Sequence, residues 1–92
     1  MQFGEAQQVM WFTYIIECKD KTLYTGVTTD IKRRFLEHKR KKGGKYTASH
    51  PVAMVVYTEN HSTRSKALKR ELQIKGLPKR EKKALFEIKT LA

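Results

Sequence analysis

Apolar residues in the first third of the chain form two short segments that are typical of β-strands. Residues 11–17 and 22–28 are rich in aromatic and β-branched side chains, and a polar stretch, 18–21, separates them. This pattern predicts a β-hairpin. A nearly unbroken apolar run follows at 51–58, which is typical of a strand covered on both faces. We therefore expect three strands in one sheet.

A first helix is predicted between the hairpin and the third strand. Residues 31–42 have helical spacing of apolar and charged positions, and Asp30 precedes them as an N-cap. Gly43 and Gly44 should end this helix, because glycine readily leaves the helical conformation. The polar segment 45–50 is predicted to be a loop.

Two more helices are predicted in the last third of the chain. Ser62 or Thr63 can cap a helix over residues 64–75, which should end at Gly76. Pro78 suits the first turn of a third helix. The apolar face of that third helix is expected to consist of Ala84, Leu85, Ile88 and Leu91.

The element order predicted from these segments is ββαβαα. It defines an α+β fold, in which a small, three-stranded, mostly antiparallel sheet is flanked by three helices. The chain has 92 residues, enough for one compact domain. We assign residues 11–90 to that domain and expect residues 1–10, which lack periodicity, to be a disordered extension.

The charge balance predicts a polyanionic partner. The chain has 20 Lys and Arg against 9 Asp and Glu, a net charge of +11. Such an excess favours nucleic acid, and two basic runs, 32–45 and 64–83, are expected to meet its phosphates. The residues predicted to bind nucleic acid are Gly26, Lys32, Arg33, Lys39, Arg40, Lys45, Tyr46, Thr47, Lys69, Arg70 and Lys75.

Several other classes of protein are disfavoured. Cys18 is the single cysteine, so an internal disulfide is impossible, and no secretory leader is recognisable. The longest nearly apolar run, 9–16, is too short to span a bilayer. The three histidines lack the spacing of a zinc site. We expect a monomeric, cytoplasmic protein without membrane contact.

Two tyrosines are predicted to share one face of the hairpin. An odd-numbered loop places Tyr14 and Tyr24 on the same face, and Tyr14 then lies opposite Gly26. A glycine at that point lets another group approach the sheet closely. The alternative is that both tyrosines are ordinary strand residues and that Gly26 marks a bulge.

The first helix is expected to carry two polar side chains to the edge of the sheet. Arg34 and His38 alternate with apolar residues at spacings of three and four. A guanidinium held there is costly unless an anion meets it. The alternative is that Arg34 extends into water and that His38 is a surface residue.

One carboxylate is predicted on the inward face of the second helix. Glu71 lies between Leu68 and Leu72, which makes it a candidate metal ligand or acid–base group. The alternative is a surface ion pair with Lys75, four residues later.

These residues together resemble the signature of the GIY-YIG nuclease family. The similarity covers Phe12-Thr13-Tyr14, Tyr24-Thr25-Gly26, Arg34 and His38, and then Glu71, with the family's spacing. It runs over residues 11–86 and is greatest to short, stand-alone bacterial members. Phe12 replaces the first glycine of the signature, and Val27 stands where some relatives have lysine.

The resemblance implies a function for each of the matched residues. Tyr14 and Tyr24 would lie beside the scissile phosphate, Arg34 would neutralise it, and His38 would lie near the nucleophile. Glu71 would bind Mg²⁺ or Mn²⁺. The implied activity is endonucleolytic hydrolysis of DNA, with branched or nicked molecules as candidate substrates in repair or recombination. The alternatives are a non-catalytic nucleic-acid-binding module of the same fold and an RNA-associated accessory protein.

Overall fold

A computed structural model describes residues 9–87 and contains one three-stranded sheet and four helices within that range. Both pairings in the sheet, whose strand order is β2-β1-β3, are antiparallel, so the predicted α+β fold and antiparallel sheet are confirmed. No helix among these residues is long and apolar enough to cross a membrane. The elements are β1 (Trp11–Cys18), β2 (Leu23–Thr28), α1 (Ile31–Lys39), α2 (Lys45–Ser49), β3 (Val52–His61), α3 (Arg64–Lys75) and α4 (Lys79–Ala84).

The hairpin turn is held by a local network that sets its register. The Asp20 carboxylate accepts hydrogen bonds from the Thr22 backbone N–H and hydroxyl at 3.0 and 2.6 Å. Lys21 has a φ of 73° and completes the turn. The resulting register pairs Tyr14 with Gly26, as predicted, and is continuous from one end of the hairpin to the other. The alternative interpretation, that Gly26 marks a β-bulge, is therefore wrong.

The two long helices begin where the sequence predicts. The Asp30 carboxylate accepts from the Arg33 N–H at 3.0 Å, and the Thr63 hydroxyl accepts from the Lys66 N–H at 3.2 Å. α3 also ends at Gly76, as expected.

The end of α1 differs from the prediction. Lys41 adopts a φ of 64°, its N–H binds the His38 carbonyl, and the Lys42 N–H binds the Glu37 carbonyl. This pattern of bonds is a Schellman motif, with a lysine in the left-handed position that glycine usually occupies. The helix consequently stops before Gly43, which lies directly against the His38 ring, whereas a side chain at Gly44 would meet no neighbour within 4 Å.

Two further predictions about the middle of the chain are wrong. Residues 45–50 were expected to be a loop, but Lys45–Ser49 form the short helix α2. The third strand was expected to be covered on both faces. Instead β3 lies at the sheet edge, and Met54 is 52% exposed, because β1 is its single neighbour in the sheet.

The C-terminal helix is only partly described. α4 spans six residues, with Pro78 as its N-cap. Ala84 is exposed and Leu85 is half-buried, so the predicted apolar face is incomplete. Ile88 and Leu91, the other members of that face, lie outside the described residues, as do residues 1–8 of the expected extension.

α1 and α3 cover opposite faces of the sheet. Tyr14 and Ile16 pack with Phe35 of α1 in the core. Thr13, which points the other way because side chains alternate along a strand, donates its hydroxyl to the Ala67 carbonyl of α3 at 2.9 Å. The predicted tyrosine face is therefore the face beneath α1.

Candidate active site

Tyr14 crosses from β1 to β2 directly above Gly26. Its side chain is 2% exposed. A Cβ atom at position 26 would lie 2.5 Å from the Tyr14 hydroxyl oxygen and 2.7 Å from Cζ, well inside van der Waals contact. The Tyr14 ring can occupy this position only because residue 26 has no side chain. This confirms the close approach expected from the register.

A hydrogen-bonded chain of three side chains extends from the Tyr14 hydroxyl into the protein. This oxygen lies 2.8 Å from His38 Nε2, and His38 Nδ1 lies 2.6 Å from the Thr47 hydroxyl oxygen. Both His38 and Thr47 are 1% exposed, so the alternative of a surface histidine is wrong. The structure joins Tyr14 and His38 directly. Thr47, which was predicted to meet phosphate, uses its hydroxyl to hold the histidine.

Tyr24 lies against this chain and connects it to the surface. Its ring centroid is 6.3 Å from that of Tyr14 and 4.9 Å from that of His38. On its other side, Tyr24 stacks on Tyr46 of α2 at 5.9 Å, and Tyr46 stacks on His50 at 4.0 Å. α2 therefore supplies both Thr47 and an aromatic neighbour to the site.

Arg34 is anchored by two acceptors beside the tyrosine. One guanidinium nitrogen donates to the Glu37 carboxylate at 2.8 Å, and another donates to the Gly43 carbonyl at 3.0 Å. The Glu37 carboxylate is thus the anion that we expected to meet the Arg34 guanidinium. Glu37 was not identified from the sequence, although its position three residues after Arg34 on a helix was a usable signal.

Burial dominates the electrostatics of the site. It raises the pKa of Tyr14 to about 12; the Arg34 guanidinium opposes this rise, and Tyr24 and Glu71 add to it. Burial, followed by the nearby Arg34 charge, lowers the pKa of His38 to about 4. At neutral pH the phenol is protonated and the imidazole is uncharged, so one ring nitrogen can accept a proton.

Glu71 lies on α3, the helix that covers the opposite face of the sheet from the tyrosines. It lies in the buried stripe of α3 between Ala67 and Ile74, and its side chain is 15% exposed. Its charge is near enough to raise the pKa of Tyr14. The carboxylate also forms the expected ion pair with Lys75 at 3.2 Å. Leu72 was predicted to share this inward face, but it is 70% exposed.

Most of the predicted nucleic-acid-binding residues are exposed, and some of them already contact other side chains: Lys75 pairs with Glu71, and Arg33 Nε lies 3.8 Å from the Glu37 carboxylate. Arg70 is engaged, because its Nε contacts both Glu59 carboxylate oxygens at 3.0 and 2.9 Å. The Tyr57 hydroxyl donates to the same carboxylate at 2.5 Å. The exposed members are Lys32, Arg33, Lys39, Arg40, Lys45, Tyr46, Lys69 and Lys75.

Comparison with known proteins identifies close relatives over most of the chain. A family model described as GIY-YIG catalytic domain matches residues 10–84. A UPF0213 protein from Desulfotalea psychrophila is 46% identical over 88 residues, covering 95% of this chain and 80% of that protein. Another, from Halobacterium salinarum, is 44% identical over 77 residues, covering 84% of this chain and 100% of that protein.

Solved structures resemble this fold as well. The solution structure of a UPF0213 protein from Bacillus halodurans has a TM-score of 0.52 and 39% identity, covering 83% of this chain and 81% of that one. The solution structure of a protein from E. faecalis has a TM-score of 0.52 and 33% identity, covering 90% of this chain and 94% of that one.

Proposed function

Because the chain belongs to the GIY-YIG family, which is of nuclease type, we propose that it is a metal-dependent endonuclease that hydrolyses phosphodiester bonds in DNA. The observation that carries this proposal is the buried hydrogen bond between Tyr14 and the uncharged His38, with Arg34 beside it. A proton acceptor, a phenol and a fixed cation are the groups that hydrolysis of a phosphodiester requires.

The proposed proton path runs from water to Tyr14 and then to His38. A phenol with a pKa of about 12 is a poor base alone. It can accept a proton from the attacking water while it passes its own proton to His38 Nε2. The His38 Nδ1–H then donates to Thr47, so the imidazolium that forms has an acceptor at each nitrogen.

Arg34 is proposed to change partners when substrate binds. In the free protein its charge is matched by Glu37. An approaching phosphate would compete for the same guanidinium, and an arginine fork binds phosphate well. Once paired with the scissile phosphate, Arg34 would stabilise the additional negative charge of the transition state.

A divalent cation at this site would have one protein ligand, Glu71. Within residues 9–87 no three metal-ligating side chains form a group. The Glu71 carboxylate supplies the hard oxygen that Mg²⁺ or Mn²⁺ prefers, and such ions usually complete their shell with water and phosphate oxygens. The bound ion would supply charge neutralisation at the phosphate. We therefore propose that Glu71 binds the metal weakly until DNA is present.

The test of this function is cleavage of nicked, branched and single-stranded DNA with magnesium or manganese. We expect Arg34→Ala and Glu71→Gln to abolish cleavage. The matched controls, Arg80→Ala and Glu81→Gln, alter exposed residues of α4 and should cleave normally. Cleavage that persists in the two site variants would refute the assignment.

A non-catalytic DNA-binding module is the second candidate function. Two observations favour it: Arg34 is already paired with Glu37, and the site has Val27 where some relatives have lysine. This candidate predicts salt-dependent DNA binding without turnover. Contact with about six phosphates should weaken binding roughly a thousandfold between 50 and 200 mM salt. Binding of that kind without any cleavage, with either metal and every DNA form, would favour the module.

A further inference from the structure

A cavity of about 300 Å³ lies beside His38 and Thr47. Three lysines line it: Lys19 from the hairpin turn, and Lys39 and Lys41 from the end of α1. His38 and Thr47 form its inner wall, and residues 51–53 close another side. Neither tyrosine of the site lines this cavity, so it is distinct from the tyrosine face and shares only His38 and Thr47 with the site.

The charges of the cavity predict an anionic occupant. Its lining residues include three exposed lysines and no Asp or Glu. Within residues 9–87, none of these three lysines forms an ion pair. Like charges gathered around a recess repel one another, and an anion that binds there relieves the repulsion. The unusual turn at Lys41, with its φ of 64°, is part of what directs the chain around this recess.

We propose that this cavity binds a phosphate group of a nucleic-acid strand, and a terminal phosphomonoester in preference to an internal diester. A phosphomonoester carries nearly two negative charges at neutral pH and three acceptor oxygens, which suits three lysine donors better than the single charge of a diester. A recess closed by the hairpin turn and the start of β3 also suits a strand end. The inference rests on the proposed nuclease function, and it assigns to that function a substrate with a phosphorylated end.

The first experiment measures binding without cleavage. Inorganic phosphate is titrated into ¹⁵N-labelled protein at constant ionic strength. The ring signals of His38 and the amide of Thr47 should shift saturably, and the pKa of His38 should rise because a bound anion stabilises the imidazolium. Absence of saturable shifts at these two residues would overturn the proposal.

The second experiment identifies the source of the phosphate. One oligonucleotide is compared with a 5′-phosphate, a 3′-phosphate or hydroxyl ends, in the absence of metal. We expect one phosphorylated form to bind at least about tenfold more tightly, since a charge-assisted hydrogen bond is worth about that factor. Equal affinity for all three forms would show that no terminal phosphate is recognised.

Matched variants separate the cavity from general charge. Lys19→Gln/Lys39→Gln/Lys41→Gln should lose the preference for the phosphorylated end. Lys42→Gln/Lys66→Gln/Lys79→Gln removes the same charge from exposed positions that do not line the cavity; it should weaken binding of all three oligonucleotides alike and keep the preference for the phosphorylated end. Circular dichroism checks that both fold, and Lys39→Gln alone should show a smaller loss. A preference that survives in the cavity variant, or is lost equally in both, overturns the inference.

Failure of the cavity proposal and failure of the nuclease proposal give different results. DNA cleavage without any preference for a phosphorylated end would reject the cavity proposal and keep the proposed function. If the protein cleaves no DNA but still prefers a phosphorylated end, and that preference depends on the three cavity lysines, the cavity proposal stands and the nuclease function is rejected.

Discussion

The uncharged state of His38 makes the stability of this protein depend on pH in a defined window. The pKa of His38 falls from 6.5 in the unfolded chain to about 4 in the folded protein, because the ring is buried beside Arg34. Between these values the unfolded chain binds a proton that the folded protein does not. The stability that neutral His38 contributes is therefore complete above pH 6.5 and is lost as the pH falls toward 4.

The size of this effect follows from the shift. One pKa unit corresponds to roughly 1.4 kcal/mol, so the full loss is about 3 kcal/mol, with a slope of at most roughly 1.4 kcal/mol per pH unit. Small domains are stable by about 5–15 kcal/mol, so the loss is a large fraction of the total and should leave the protein folded at pH 5.

The assay is urea unfolding at half-unit steps from pH 7.5 to pH 4, followed by circular dichroism or by the fluorescence of Trp11, the single tryptophan. The free energy of unfolding is compared with that of the His38→Gln variant, in which residue 38 has no titratable group. His50 and His61 remain in both proteins, so the difference in unfolding free energy isolates His38. We expect that difference to change by about 3 kcal/mol across the window. A difference that stays constant within about 0.5 kcal/mol would refute the burial argument.

Three further predictions concern packing, reactivity and a half-buried ion pair. Gly26→Ala should displace the Tyr14 ring and cost about 1–3 kcal/mol in urea unfolding, whereas Gly76→Ala, whose Cβ would have no neighbour nearer than 3.6 Å, should change stability little. Cys18 is 1% exposed and burial raises its pKa, so its thiol should react with a disulfide reagent only after unfolding. Glu59→Gln should cost about 1–2 kcal/mol, because the guanidinium and phenol that it contacts lose a charged acceptor.

Each of these predictions has an opposing result. Equal stability of the two alanine variants would mean that the ring has free space to move. Rapid reaction of Cys18 in the native protein would show that the core opens readily. An unchanged free energy of unfolding for Glu59→Gln would place that carboxylate among ordinary surface groups, whose pairs contribute little.

Local chemistry explains most of what the sequence predicted correctly. The cap at Asp30 and the hairpin register depend on residues close together in the chain, so they can be inferred from spacing alone. The register then placed Tyr14 against Gly26. Arg34 was correctly expected to need an anion, but which anion depends on the rotamers of a formed helix.

The errors come from features that only the assembled fold decides. An apolar run such as 51–58 does not reveal how many strands will flank it, and β3 has a single neighbour. Leu72 fits an apolar stripe in the sequence, but α3 turns its Ala67 and Ile74 face to the sheet. His38 could not be identified as buried, because its cover comes from α2, a helix that the polar composition of 45–50 concealed.

The contact between Gly43 and His38 restricts how this protein can change during evolution. A Cβ atom at position 43 would overlap the imidazole ring, just as one at position 26 would overlap the phenol. Each ring therefore occupies the volume that its glycine leaves empty. Among homologous sequences, a larger residue at position 43 should appear only together with a smaller or reoriented side chain at position 38, and the same exchange should link positions 26 and 14.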